Sequence, residues 1–341
     1  MPSLSASILQ SINRDYGRPL NILLINHKES YQAMLAKTGH NFFFMHHPKI
    51  PTWNIATRPI PDNCHLLTGN NEAAHFRYDV DFDLIICQER SQQYPILLQV
   101  AKQLCCPMLN LEYSLTAPDA NPYYVESLMY QPYNLTVFSS DFVANSWGAD
   151  TEDEEVKIIS HAIDTDFFTG WVGGDNKVLT IVNNYRHRNN TMGFDLFTQI
   201  MKCFAMNSFG HTQGMSRATK NVDELLNLYQ KASVFVNTSV WHACPMVLLE
   251  AMSVGCPVVT TSSATLTEIV EDGVNGFIAD DIDTMKTKIQ NILDDPEMAK
   301  EIGQKARQTI IDSFGSEQFV KNWQEVLKCA IDQPSCALVS T

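Results

Sequence analysis

The sequence predicts an α/β protein of two domains, and three observations carry that reading. Short apolar runs alternate with amphipathic segments along the whole chain, the pattern of parallel strands covered on both faces by crossover helices. At 341 residues the chain exceeds what one hydrophobic core usually serves. A glycine pair, Gly173-Gly174, separates a first set of strands from a fresh set that opens with VLTIVN.

Taken in order, NILLIN (21–26) reads as a strand, YQAMLAKTG as a helix stopped by Gly39, and NFFFMH as the next strand. FDLIICQ (82–88), the helix YPILLQVAKQL and PMLNLEY (107–113) repeat the unit, and LTVFSS (135–140) and VKIIS (156–160) close the first sheet. Residues 150–155 form an acidic turn read as solvated surface. The segment 161–177 reads as the linker. The domains are expected at 1–165 and 166–315, with a helix over 316–330 and a tail over 331–341. In the second sheet ASVFVNT (232–238), PVVTTS (257–262) and GFIAD (276–280) are strands. Helices follow at VDELLNLYQKA, at PMVLLEAMSVG, after Asp283 and after Asp295-Pro296.

Composition excludes several function classes. Hydrophobic residues make up 45% and charged residues 18%, which is neither disordered nor fibrous. A formal net charge of −14 opposes broad electrostatic binding to nucleic acid or anionic lipid. Nine cysteines without C-x-x-C spacing, two of them adjacent at Cys105-Cys106, suggest neither a disulfide framework nor a zinc site, and no metal is expected. The opening MPSLSASILQSINRDYG lacks a basic segment followed by a long apolar one, and no run of ~18 apolar residues occurs, so a cytoplasmic location without a transmembrane segment is expected.

Open α/β sheets bind ligands beyond the carboxyl ends of their strands, where helix N-termini point N–H groups outward. The run VFVNTSVWHACPMVLLEAMSVGCPVV places a strand, a loop and a helix that Pro245 opens and Gly255 closes. A helix beginning there would offer Ala243, Cys244, Pro245, Met246 and Val247 to a diphosphate. Glu250 lies inside it among Val247, Leu248, Leu249, Ala251 and Met252, placed either to accept hydrogen bonds from vicinal ribose hydroxyls or as a solvated helix glutamate. Arg186 and Arg188, after VLTIVN, are the candidate cations for the phosphates, or else exposed loop arginines.

This segment resembles the retaining glycosyltransferases of GT-B fold often called family four, or glycosyl transferases group 1. Their hallmark is two glutamates separated by seven residues; LLEAMSVGCPVV matches closely, with Glu250 in the second position and His242 in the first. TEIVEDGVNGF (267–277), KIISHAIDTDFF and FGSEQFVKNWQEVL resemble further family segments, with Ala264-Thr265 where a glycine pair is customary. The resemblance implies two Rossmann-like domains facing each other across a cleft, with a C-terminal helix crossing back to the first and anchored by Phe314, Phe319 and Trp323. It implies a nucleoside-diphosphate sugar as donor, UDP or GDP sugar foremost, and a nucleobase bordered by the loop 214–220. Tyr113 stands where the family often has a histidine facing the sugar, with Glu112 adjacent, and His242, Tyr113 and Glu89 are the catalytic candidates. Glu89 is read either as a base toward the acceptor or as the ion-pair partner of Arg90. His27, His46 and His47 follow strand ends and read either as lining for the acceptor cleft or as surface residues.

The acceptor is open: a saccharide, a lipid head group, a small metabolite, or a hydroxylated DNA base as in phage glycosyltransferases. A non-catalytic sugar-nucleotide-binding protein and a sugar-nucleotide epimerase are the competing readings, and oligomeric state is undetermined.

Overall fold

A computed structural model of the chain describes residues 17–67, 80–263 and 265–332. Most of the opening segment read for a leader, Ala264 and most of the tail lie outside the described residues.

The described part of the first half runs β1 (Asn21–Ile25), α1 (Glu29–Ala36), β2 (Asn41–Met45), β3 (Cys64–Leu67), β4 (Leu84–Cys87), α2 (Tyr94–Leu104), β5 (Met108–Glu112), α3 (Pro122–Met129), β6 (Leu135–Phe138), α4 (Asp141–Trp147) and β7 (Val156–Ile158). The second half runs β8 (Val178–Ile181), a 3-10 turn (Tyr185–Arg188), α5 (Asn189–Met192), α6 (Phe194–Met201), β9 (Met206–Phe209), α7 (Val222–Lys231), β10 (Val234–Asn237), α8 (Met246–Val254), β11 (Val258–Thr260), α9 (Leu266–Ile269), β12 (Phe277–Ile278), α10 (Ile282–Asp294), α11 (Pro296–Phe314) and α12 (Ser316–Asp332).

Two parallel sheets result, in the orders β3-β2-β1-β4-β5-β6-β7 and β12-β11-β10-β8-β9. The chain divides into two compact units, one up to Ser160 with the stretch from Glu317 onward, the other His161–Ser316.

In the first unit, Leu97 and Ala101 of α2 cover Leu23, Ile25, Ile85 and Cys87. The residues that close this unit come from α12: Trp323 is fully buried, stands edge-on to Tyr31 of α1 and donates its Nε1–H to the Tyr31 hydroxyl at 3.0 Å, with Phe319 beside it. Phe314 instead packs in the second unit's core.

In the second unit the two faces of the sheet are read off strand alternation. Leu179, Phe235 and Val258 meet Leu248, Leu249 and Met252 of α8 and Tyr229 of α7, whereas Val178, Val234, Val236 and Val259 meet Ile200 of α6 and Met285 and Ile289 of α10. Local sequence sets the helix starts: Asn221 caps the Glu224 amide, Asp281 caps Asp283 and Thr284, and Asp295 caps Met298 behind Pro296.

The segment 161–177, expected as a linker, is packed into this unit. Phe168 is buried, Trp171 N–H donates to Val254 O at 3.1 Å, and the Trp171 indole donates to Ala232 O at 2.8 Å. Apolar Phe168 and Trp171 give it a place in the core that a free linker lacks.

Candidate active site

Each sheet has one point where the strand order reverses, and there the loops after two neighbouring strands diverge to opposite faces and leave a crevice beyond the strand ends. In the second unit this point lies between β8 and β10: α6, reached after β8, covers one face and α8, after β10, the other.

After β8, Asn184 takes a left-handed conformation (φ 53°), its N–H on His211 O at 2.8 Å, and Tyr185 N–H donates to Thr212 Oγ1 at 3.1 Å. The Tyr185 ring is buried against Phe197 and its hydroxyl bonds Thr238 Oγ1. This anchored turn displays Arg186 and Arg188. Arg186 is exposed; Arg188 is half-buried, and desolvation lowers its pKa. Among the described residues neither has a carboxylate within ion-pairing distance.

Three residues on from Arg188, Thr191 O accepts from Val240 N–H (2.9 Å) and Trp241 N–H (3.0 Å), which ties the arginine turn to the loop that leads into α8. Gly193 allows the approach: its φ is +68°, and a Cβ there would lie 2.1 Å from Thr238 O.

Pro245 precedes α8 as its N-cap, one position earlier than the first helical turn expected for it, and Gly255 ends the helix with φ +92°. No side chain caps the start, and among the described residues the amides of Met246 and Val247 have no acceptor; Leu248 N–H, on Pro245 O at 2.9 Å, is the first with a partner. Ala243 is buried, and its carbonyl accepts from Thr265 Oγ1. His242 is half-buried, as are Cys244, Met246 and Val247, whose side chains pack on the core. The crevice therefore gathers an uncapped helix start and an unpaired half-buried cation, the two features that favour an anion.

Glu250 is only 3% exposed, and its Oε2 accepts from the Tyr229 hydroxyl at 2.9 Å. It is thus no solvated helix glutamate; α7 supplies a buried partner. The loop 214–220 closes on itself: Ser216 and Thr212 pair through their backbones, and Arg217 is held by Glu224.

The first sheet reverses between β1 and β4. His27 follows β1, Gln88 and Glu89 follow β4, and Tyr113 follows the adjacent β5. Tyr113 is 1% exposed, its hydroxyl meets His27 Nδ1 and faces Gln88 Oε1 at 3.4 Å, and burial with nearby Glu112 raises its pKa well above the usual 10. The expectation that Tyr113 faces the sugar is corrected: the phenol is buried and hydrogen-bonded inside the fold.

For Glu89 the ion pair with Arg90 is not formed. Its carboxylate accepts from Ser91 N–H at 2.9 Å and Gln92 N–H at 2.5 Å, so it braces the turn into α2 and takes no part in an ion pair with Arg90. Arg90 turns inward, fully buried, to Glu112 (3.8 Å), Leu128 O (3.0 Å) and the Asn110 amide oxygen. A cavity of about 990 Å³ opens beside it between α3 and α4, but its one lining cation is this paired Arg90, stacked at 5.1 Å from Tyr133 and 5.6 Å from Trp147. It offers a diphosphate nothing comparable to the β8–β10 crevice.

Burial pushes the Glu112 carboxyl up to about 7 from 4.5, against the pull of Arg90. A carboxyl raised in the fold contributes stability fully below about 4.5 and loses it as pH rises through about 7. The melting temperature is expected to fall between about pH 4.5 and 7, and Glu112→Gln to flatten that fall; equal slopes in scanning calorimetry would remove Glu112 as the cause.

Residues 212–309 match the family model described as Glycosyl transferases group 1, a stretch that includes α8 but not the arginine turn. Among curated proteins, N-acetyl-alpha-D-glucosaminyl L-malate synthase of Bacillus anthracis is 30% identical over 108 residues, 31% of this chain and 28% of that protein. The matched stretch spans only 27–32% of the length of the first curated relatives. Among solved structures, HepE of Anabaena in complex with UDP and glucose superposes with a TM-score of 0.67 at 13% identity, covering 91% of this chain and 99% of that one. Sucrose-phosphate synthase of Thermosynechococcus elongatus gives 0.71 at 14% identity, covering 91% and 98%. The chain has the GT-B fold of these glycosyltransferases, and its residues 212–309 carry the sequence signature of the group 1 family.

Proposed function

We propose that this protein transfers a sugar from a nucleoside-diphosphate donor to an acceptor hydroxyl, with retention of anomeric configuration, and holds the donor's diphosphate in the β8–β10 crevice. The observation that carries this reading is the half-buried, unpaired Arg188 tied by Thr191 to the loop before the uncapped start of α8. Charge builds on the leaving diphosphate as the glycosidic bond breaks, so amides and a cation already in place lower the barrier without reorganising. In this reading Met246 and Val247 donate backbone amides and Arg188, with Arg186 at the rim, supplies the charge. Glu250 reaches the ribose if its carboxylate exchanges the Tyr229 hydroxyl for the sugar's, and His242 lies on the donor-sugar side. The match to the group 1 family and the UDP complex of HepE support a nucleotide-sugar donor, UDP or GDP sugar, with a helix dipole and arginines in place of a metal. A cytoplasmic site of action belongs to the same proposal; among the described residues no helix is long and apolar enough to cross a membrane.

The test is release of UDP or GDP from a panel of nucleotide sugars incubated with saccharide, small-molecule and hydroxylated-DNA acceptors. Product anomers are assigned by NMR. Acceptor-dependent release with retained configuration is the expected result. Tight nucleotide binding without turnover on any acceptor would instead identify a sugar-nucleotide-binding protein.

A further inference from the structure

The cavity of about 990 Å³ between α3 and α4 lies wholly within the first unit, over β6 and the start of the outer strand β7. Aromatic rings form part of its wall: Tyr133 and Trp147 are half-buried, and Tyr130 is 78% exposed. The aromatic surface continues past the cavity along α3, where Tyr123 is 81% and Tyr124 53% exposed. Tyr123, Glu126 and Tyr130 follow helical spacing, so they share one face of α3 and its C-cap. Exposed tyrosines gathered on one short helix make a patch, unlike the single apolar residues scattered over any protein surface.

Carboxylates supply the second chemistry. Glu126, Asp150, Asp153 and Glu155 line the cavity and are exposed, and among the described residues none of them is in an ion pair. Lys157, close by in sequence, turns its Nζ to Glu154 O at 2.7 Å. The one lining cation, Arg90, faces Glu112 inside the fold. A solvated turn over 150–155 accounts for the loop carboxylates alone, not for Glu126 among the tyrosines of the facing helix.

Charge complementarity makes the occupant a cation. A small amine would be met by the cavity alone, whereas the aromatic patch runs on to Tyr123 and Tyr124, the extent of a polypeptide segment. A second copy of the chain is opposed by its net charge of −14. The stretches 1–16, 68–79 and 333–341, outside the described residues, hold Arg14 and Arg77 as their only lysines or arginines and so carry no basic run.

We propose that the face formed by α3 and the 150–155 turn docks a basic segment of another protein. Its lysines or arginines meet Glu126, Asp150, Asp153 and Glu155, and its apolar stems or guanidinium planes cover the tyrosines. Arg90 shows that packing in the cavity wall, with its guanidinium 5.1 Å from the centre of the Tyr133 ring. Tyrosine is also among the residues enriched where interfaces are anchored.

The test is fluorescence anisotropy of a labelled dodecapeptide of arginine, lysine and leucine with the full chain, beside a peptide with glutamate at every basic position. Saturable binding of the basic peptide alone is expected, weakening at least about fivefold between about 0.05 and 0.3 M salt. Joint neutralisation by Glu126→Gln, Asp150→Asn, Asp153→Asn and Glu155→Gln should weaken it at least about fivefold, as should Tyr130→Ala alone. The new amides keep the acceptors that Asp150 and Asp153 give to Glu152 N–H and Glu155 N–H, so both variants should melt with the parent. The control neutralises four exposed carboxylates of the second unit, at Asp283, Glu297, Glu301 and Asp312, and should bind as the parent does. A parent that ignores the basic peptide, a control variant that loses as much as the cavity variant, or spermine bound as tightly as the peptide overturns the proposal. None of these outcomes bears on nucleotide binding, which is scored separately.

Discussion

Gly193→Ala is expected to destabilise the second unit by about 2–6 kcal/mol, from roughly 1–3 for a side chain forced into positive φ and roughly 1–3 for overpacking. Both contributions have a stated source. The residue sits at φ +68° between α5 and α6, and an added Cβ would fall 2.1 Å from Thr238 O, a backbone atom that cannot swing aside as a side chain can. Thr238 is itself held by Tyr185 and by Met192 O, so relief of the clash must move the whole β8–β10 crevice. Nucleotide binding should be lost with it, because Arg188 and the loop before α8 lose their common anchor at Thr191. The control is Gly214→Ala. Gly214 has a similar φ of +70° but nothing within 4 Å of its added Cβ, so it should cost only the backbone share, roughly 1–3 kcal/mol. Urea denaturation of the two variants decides: equal losses would mean the Thr238 contact contributes nothing.

Trp323→Ala should remove about 3–5 kcal/mol from the first unit. The indole is fully buried between Tyr31 and Phe319, and its removal leaves both a cavity and a Tyr31 hydroxyl without its donor. At roughly 2–4 °C per kcal/mol, this lowers the unit's melting temperature by about 6–20 °C. Trp323→Phe keeps most of the ring volume and deletes the N–H, so it should lose much less, in the range of one hydrogen bond. A Trp323→Ala protein that melts with the parent would show that α12 does not secure the first unit.

The strands and helices legible in the sequence are those whose apolar runs are long enough to be buried on both faces, such as NILLI, LIIC and VFVN. The two missed strands, CHLL and MNSF, are the outer strands of their sheets; with one neighbour each and only partial burial, they have no need of an apolar run. The candidate site shows a different limit. Arg188 and the α8 loop stand out in the sequence because the proposed phosphate site is a local motif of strand end, turn and helix start. Tyr113 was misread because strand periodicity gives the face of a side chain but not what closes over it, here Tyr31 and His27. Arg90 was paired with its sequence neighbour Glu89, while the fold brings it Glu112 from the next strand. Glu250 shows both sides: its apolar neighbours marked it as unusual within the helix, yet only the packing of α7 reveals that Tyr229 meets it.

The β8–β10 crevice as a diphosphate site is tested most directly by calorimetric titration of the parent and Arg188→Ala with UDP and GDP. Arg188 has no structural partner to lose among the described residues, so the variant should melt with the parent. Its affinity for whichever nucleotide the parent binds should fall by about tenfold or more, the worth of a charge-assisted hydrogen bond of roughly 1.5–3 kcal/mol. A parent that binds neither nucleotide, or an Arg188→Ala protein that binds with undiminished affinity, would contradict the assignment.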